Sequence, residues 1–95
     1  MAIKSLGHRG LEEIFRTGTS RRIGAEYRKR LKLILDALDA ATCVGDLQGA
    51  RGFHALRGDR AGFFAMRVSG NWRLTFRFEN GDEGDITDVD FEDYH

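Results

Sequence analysis

The sequence predicts an α+β fold: a single domain over residues 1–95, with two N-terminal helices packed on a twisted antiparallel sheet of about four strands. Three observations lead there. The hydrophobic repeat has a period of 3.6 up to about residue 41 and a period of 2 after residue 52. The helical and extended stretches are segregated along the chain, as in a sheet covered by helices on one face. The length of 95 residues, at 10.7 kDa, suffices for one core and excludes multidomain machinery or a large cofactor fold.

Taken in order, residues 3–6 read as a short first strand ended by Gly7. Residues 8–16 read as a short helix with Leu11, Ile14 and Phe15 on one face. Thr17-Gly18-Thr19-Ser20 is a loop. The strongest periodic signal follows: Tyr27, Leu31, Ile34, Leu35 and Leu38 keep helical spacing, which places a helix over residues 24–41. Residues 42–51 read as a loop with one turn, residues 53–56 as short and extended, and Gly58-Asp59-Arg60 as a turn. Two strands with alternating faces come next. In residues 62–68, Phe64, Met66 and Val68 point one way. In residues 72–78, Trp72, Leu74, Phe76 and Phe78 point to the core, and Arg73, Thr75 and Arg77 point to an open face. Ser69-Gly70-Asn71 joins them as a hairpin, and Asn80-Gly81 is a second turn signal. A last strand falls within residues 86–91, where Val89 and Phe91 are out of phase with Ile86, the mark of a bulge or a late start.

Composition excludes several classes of function. The longest stretches free of Asp, Glu, Lys and Arg are six residues, 40–45 and 61–66, far short of the roughly 20 apolar residues of a membrane-spanning helix. The first residues have no apolar signal-peptide core. The single cysteine, Cys43, forms no internal disulfide, so a reduced, cytoplasmic setting is expected. His8, His54 and His95 lack metal-ligand spacing, and Gly18 and Gly24 lack the Lys-Ser or Lys-Thr of a phosphate-binding loop. Neither a metal nor another cofactor is expected.

The net charge of zero hides an asymmetry. Residues 1–78 carry all 15 basic and 7 acidic residues, a net of +8, and residues 79–95 carry 8 acidic residues and no basic one, a net of −8. Arg21, Arg22, Arg28, Lys29, Arg30 and Lys32 make a basic face at the second helix. Such a face is either ordinary solvated surface or a track for phosphates.

The side chains needed to cleave an RNA phosphodiester are present. His54 and Arg57 flank a short strand, Arg73 lies on the open face, and the chain ends Asp93-Tyr94-His95. Imidazole suits proton transfer to and from the ribose and leaving oxygens. Arginine suits the charge developing on the phosphoryl oxygens. Each residue also has a plainer reading: an incidental histidine, a frayed terminus, a solvent-facing arginine.

The segments His8-Arg9-Gly10-Leu11-Glu12, Phe53-His54-Ala55-Leu56-Arg57-Gly58-Asp59-Arg60, Ser69-Gly70-Asn71-Trp72-Arg73 and Asp93-Tyr94-His95 resemble the HigB branch of the RelE-like toxins, the plasmid-maintenance killer proteins. So does the stretch from Leu33 to Ala41, and the resemblance covers almost the whole chain. It implies a RelE-like fold and a ribosome-dependent endoribonuclease that cuts mRNA in the decoding site. It also implies a helix-turn-helix (HigA-like) antitoxin as partner, with operator DNA reached only through that antitoxin. Carried over by position, the site candidates are His54, Arg57, Arg73, Asp93, Tyr94 and His95. Arg21, Arg22, Arg28, Lys29 and Lys32 would contact ribosomal RNA. Two departures stand out: relatives often have lysine in place of Arg57, and their acidic stretch is shorter than the one around residues 82–87. A non-catalytic RNA- or ribosome-binding module is the alternative. A DNA-binding component fits less well, since no helix-turn-helix pattern with a glycine turn is visible.

Overall fold

In the computed structural model, which describes residues 3–50 and 52–93, two helices precede a four-stranded antiparallel sheet. Helix α1 spans Arg9–Thr17 and α2 spans Ala25–Ala40. The strands are β1 (His54–Ala55), β2 (Phe63–Ser69), β3 (Trp72–Phe78) and β4 (Ile86–Asp93), in the order β1-β2-β3-β4.

The helix boundaries have local causes. His8 caps α1: its Nδ1 accepts from the amides of Gly10 at 3.0 Å and Leu11 at 3.4 Å, the role usually taken by a short polar side chain. That gives His8 a structural task. Gly18 ends α1 in the left-handed region, φ 85°, where an L side chain is disfavoured. Leu11 and Ile14 of α1 and Leu31, Leu35 and Leu38 of α2 are fully buried against Met66, Val68, Leu74, Phe76, Phe78, Ile86 and Val89 of the sheet.

Two irregularities set the sheet's ends. Between β3 and β4 the pairing steps from Thr75↔Asp90 to Arg77↔Thr87, so Asp88 and Val89 face Phe76 alone; Asp88 has φ 56°. This bulge is the cause of the phase change read between Ile86 and Val89. A second shift lies between Arg67 and Ser69, beside the Gly70-Asn71 turn.

The expected first strand is not a strand. Residues 3–7 lie parallel to β4 and touch it through two isolated bridges, Ile3↔Ile86 and Leu6↔Val89. The amides of Lys4 and Gly7 donate to Ile86 and Val89 carbonyls, each at 2.7 Å. The bulge at Asp88 lies between these two contacts and breaks the regular spacing that a ladder needs. The acidic stretch ahead of β4 also has a structural use. Val44 N–H donates to the Asp82 carbonyl and Gly84 N–H to the Thr42 carbonyl, and Cys43 bridges to Glu83. The acidic loop thereby ties the end of α2 to the β3–β4 connection.

Candidate active site

The open face of the sheet can be read from the register as rows of side chains. One row runs His54–Ala65–Thr75–Asp90. The next runs Arg67–Arg73–Glu92, and a third Phe63–Arg77–Thr87. Among the described residues no α-helix covers these rows; His54, Arg67 and Arg77 are exposed, while Ala65 and Thr75 are buried. With strands about 4.8 Å apart, His54 and Arg73 lie on the order of 10 Å from each other across the face. That is a span one or two nucleotides can bridge.

The expected residues are placed as follows. His54 sits at the edge of the sheet, with Nδ1 2.9 Å from the Gly52 carbonyl, so a protonated Nδ1 leaves Nε2 facing solvent. Arg57 is exposed at the start of the 3₁₀ turn Gly58–Arg60. Arg73 is half-buried, and its Nη1 donates to the Gly70 carbonyl at 2.7 Å and the Trp72 carbonyl at 3.1 Å. The guanidinium therefore braces the hairpin turn. Asp93 ends β4 opposite Trp72 and is exposed. Alternation assigns its side chain to the face opposite Arg73, at the sheet's end. Tyr94 and His95 lie outside the described residues.

The end of β4 is well anchored. Phe91 stacks on Trp72 with ring centres 4.5 Å apart, Tyr27 packs against both rings at 5.8 Å, and His8 approaches Phe91 edge-on at 6.4 Å. Each such pair adds about 0.5–1.5 kcal/mol beyond area burial. The segment leading to Asp93 is thus fixed to the first turn of α2 and to the cap of α1.

Three site features are not read from the sequence. The first is Arg67, directly opposite Arg73. Like charges facing each other across strands destabilise a sheet, so two adjacent arginines on an open face favour a bound anion. The alternation of Phe64, Met66 and Val68 holds that signal, since it turns Arg67 to the face of Arg73. The second is a cleft of about 270 Å³ lined by Glu26, Tyr27, Arg30, Arg67 and Ser69, which joins the Arg67 end of the sheet to α2. The third is Glu92, whose carboxylate accepts from Arg60 Nη1 and Nη2 at 2.6 Å each and from the Thr75 hydroxyl. The Arg60 hydrogen bonds hold Glu92 below the usual glutamate range, against an opposing contribution from burial. Pairing across 32 residues leaves no local pattern to find.

The basic face divides in two. Arg21, Arg22 and Lys29 are exposed, Arg22 lying 3.7 Å from Glu13. Arg28 and Lys32 are half-buried and serve the helix pair. Arg28 Nε donates to the Ile23 carbonyl at 3.0 Å, and Lys32 bonds Asp36 at 2.8 Å above the Phe15 ring. Among the described residues no three His, Cys, Asp or Glu side chains converge as a metal site would require, and no helix is long and apolar enough to cross a membrane.

An uncovered sheet face with paired arginines, a neighbouring histidine and an anchored C-terminal strand is one of the arrangements that can bind and cut a polyanion. A family model described as the RelE-like toxin of type II toxin-antitoxin system HigB matches residues 4–95. The protein named Endoribonuclease HigB from Proteus vulgaris is 39% identical over 94 residues, which cover 98% of this chain and 99% of that one. The chain belongs to the HigB-like family of RelE-like toxins.

Proposed function

We propose that this toxin is an endoribonuclease that cuts mRNA on the ribosome. The observation that carries this reading is the cross-strand pair Arg67–Arg73 beside the His54 row on the open sheet face. The family adds an antitoxin partner, for which a helix-turn-helix protein of the HigA kind fits best, and the working place is the cytoplasm.

The chemistry follows from the groups available. The ribose 2′-oxygen loses its proton to a base and attacks the adjacent phosphorus. The bond from phosphorus to the 5′-oxygen breaks, and an acid protonates that oxygen, leaving a 2′,3′-cyclic phosphate and a 5′-hydroxyl. Arg73 and Arg67 bear the charge on the non-bridging oxygens. His54, Tyr94 and His95 supply the proton transfers, with Asp93 at the end of β4 orienting a histidine. Arg57 acts as a fixed cation, because a guanidinium does not release a proton usefully near neutral pH. The exposed cations Arg21, Arg22 and Lys29 supply affinity for ribosomal RNA without base readout.

Primer extension on mRNA incubated with the purified protein, with and without ribosomes, tests the reading. Cuts that need ribosomes are expected. Binding to ribosomes with no cut at any mRNA position would instead make the chain a non-catalytic ribosome-binding module, the role that a guanidinium at position 57 favours.

A further inference from the structure

Among the described residues, every Phe, Tyr and Trp ring but one belongs to the hydrophobic core or packs against it. The exception is Phe63, a half-buried residue at the start of β2. Its place opposite Arg77 puts it on the open face, in a row with Arg77 and Thr87. The core does not account for an aromatic side chain here, and a large apolar group left on a wet surface points to a ligand. Its neighbours are cations: the guanidinium carbons of Arg60 and Arg77 lie 5.4 Å and 5.8 Å from the ring centre. Beside the ring is a recess of about 180 Å³. Phe63 and Arg77 wall it, the Ala61-Gly62 turn and Gly81 form its rim, and none of its lining residues, Phe78 included, is acidic. Nothing lies within 4 Å of where a Cβ would stand at Gly62 or Gly81, so the rim is open. Arg77 is loosely held. Its Nε is 3.7 Å from an Asp88 oxygen, and the two side chains are 47% and 57% exposed. A pair of that kind contributes little, so the guanidinium can shift at small cost.

We propose that Phe63 is a base-binding residue: a nucleobase of the mRNA enters the recess beside it, stacks on its ring and is covered by the Arg77 guanidinium. The proposal rests on the reading of the open face as the RNA-cleaving surface. Single-stranded RNA is held by aromatic rings and guanidinium planes together, because every base has a π-face to offer them. The register supplies the distance. Along β2 the Phe63 row lies two residues, roughly 6.6 Å, from the row of His54 and Ala65, and four residues, about 13 Å, from the Arg67–Arg73 pair. A phosphate at the arginine pair, with its ribose near His54, therefore leaves the base of an adjacent nucleotide within reach of Phe63. A stack reads flatness and not a hydrogen-bond pattern, so Phe63 adds affinity for the nucleotide beside the cut whichever base it carries.

Single-turnover cleavage of ribosome-bound mRNA, over a range of protein concentrations, tests this with Phe63→Ala, Phe63→Trp and two altered mRNAs. Each altered mRNA lacks the base, but keeps the ribose and its 2′-hydroxyl, at one of the two nucleotides flanking the cut. Phe63→Ala should raise the half-saturating concentration at least about fivefold, the low end for loss of one base–aromatic stack, and keep the saturating rate within about threefold of the parent. Phe63→Trp should restore the parental value. Removing the base from one of the two nucleotides should weaken the parent by a similar factor and weaken Phe63→Ala hardly further. If Phe63 only supports the Arg60 side chain, the two losses multiply instead. Multiplying losses, a parent indifferent to base removal at both positions, a Phe63→Trp as weak as Phe63→Ala, or a Phe63→Ala at the parental value overturns the proposal. Phe63→Leu, which keeps apolar bulk without a π-face, replaces Phe63→Ala if that variant is unfolded. A second readout needs no cleavage: 2-aminopurine at the same two positions, in an mRNA whose scissile 2′-oxygen is methylated. Saturating parent protein should quench its fluorescence at one position, and saturating Phe63→Ala should leave it bright. Equal quenching by the two overturns the proposal as well. A parent protein that fails to cut refutes the functional reading, and the quenching then decides alone whether Phe63 holds a base.

Discussion

The two faces of the sheet are stabilised by different physics. The face under the helices is dry: Leu74, Phe76, Phe78, Ile86 and Val89 are at most 1% exposed, and they are held by burial, which has no direction. The open face is wet and holds its side chains by specific pairs: Arg60 with Glu92, Arg77 with Asp88, Arg73 with the hairpin carbonyls. Thr75 is the one open-face residue of β3 that is fully buried, and it is buried beneath the Glu92 clamp. A change on the helix side should therefore act on stability, and a change on the open side on chemistry. Substitutions on either face can break that division.

The largest effect is expected on the dry face. Phe76 is fully buried among Phe53, Phe64 and Phe78. Phe76→Ala should cost about 3–5 kcal/mol, read as a shift of the urea midpoint. Domains of this size have about 5–15 kcal/mol in total, so the variant should be near the unfolding threshold. A loss below about 1 kcal/mol would mean the core closes over the gap and the contrast between faces is weaker than drawn.

Arg73→Ala is the opposite case. It should keep most of its stability and lose cleavage by about 10²–10³, the cost of one preorganised charge donor. Parallel urea titration and single-turnover cleavage separate the two readouts. A variant that unfolds would show that the bonds from Arg73 to Gly70 and Trp72 are what hold the hairpin, and Arg73 would then move from chemistry to structure.

The same division explains how much is legible in the sequence. Burial repeats with the period of the element, so both helices, the β2–β3 hairpin and even the break in β4 are visible as patterns of Leu, Phe and Val. Helix α2 falls at Ala25–Ala40 against an expected 24–41. The segment at residues 3–7 misleads because its apolar residues meet β4 on either side of a bulge, a non-local fact. On the open face, alternation identifies Arg73 and Arg77 and also carries Arg67. The partner of Glu92, by contrast, comes from a turn 32 residues away, and no periodicity encodes such a pair. His54, Arg73 and Asp93 stand out by chemistry and by resemblance, while the rows that hold His54 and Arg73 need the register.

Next in size is the proton-transfer pair. His54 stands on an exposed two-residue strand, so His54→Ala should leave stability nearly unchanged. Removal of His95 alone should also do so. Each should slow cleavage at least about tenfold, the cautious end of what a positioned acid or base contributes. Parental rates on ribosomes for either variant would remove that histidine from the site. Smaller still is the effect of the exposed cations. Charge reversal at Arg21 and Lys29 should weaken ribosome binding and lower the log–log salt slope by roughly 0.7–0.9 for each phosphate that the protein no longer neutralises. An unchanged slope makes that surface ordinary solvated helix.

The smallest effect is a pH dependence confined to the open face. Glu92 is held below the usual glutamate range, chiefly by its hydrogen bonds to Arg60, with further contributions from the Thr75 hydroxyl and the Arg60 charge. In the unfolded chain it returns to the ordinary glutamate value, so the folded state binds fewer protons there and stability rises with pH across that window. The contribution is complete above the ordinary glutamate value. It is lost as pH falls through that value and then through the depressed one. Arg60 is 39% exposed at its side chain, so water screens the pair, and its size should fall near the 0.2–1 kcal/mol measured for exposed ion pairs. Urea midpoints of the parent and of Glu92→Gln, compared at pH 7 and at about pH 3, measure it. The gap between the two should be widest at pH 7 and close at the acid end. The corresponding gap for Phe76→Ala should stay the same at both, because nothing in the aromatic cluster around Phe76 titrates. A Glu92→Gln gap that does not change with pH would mean that the shape of the side chain, with its hydrogen bond to Thr75, holds this corner of the sheet. The open face would then share the charge-independent packing of the face beneath the helices.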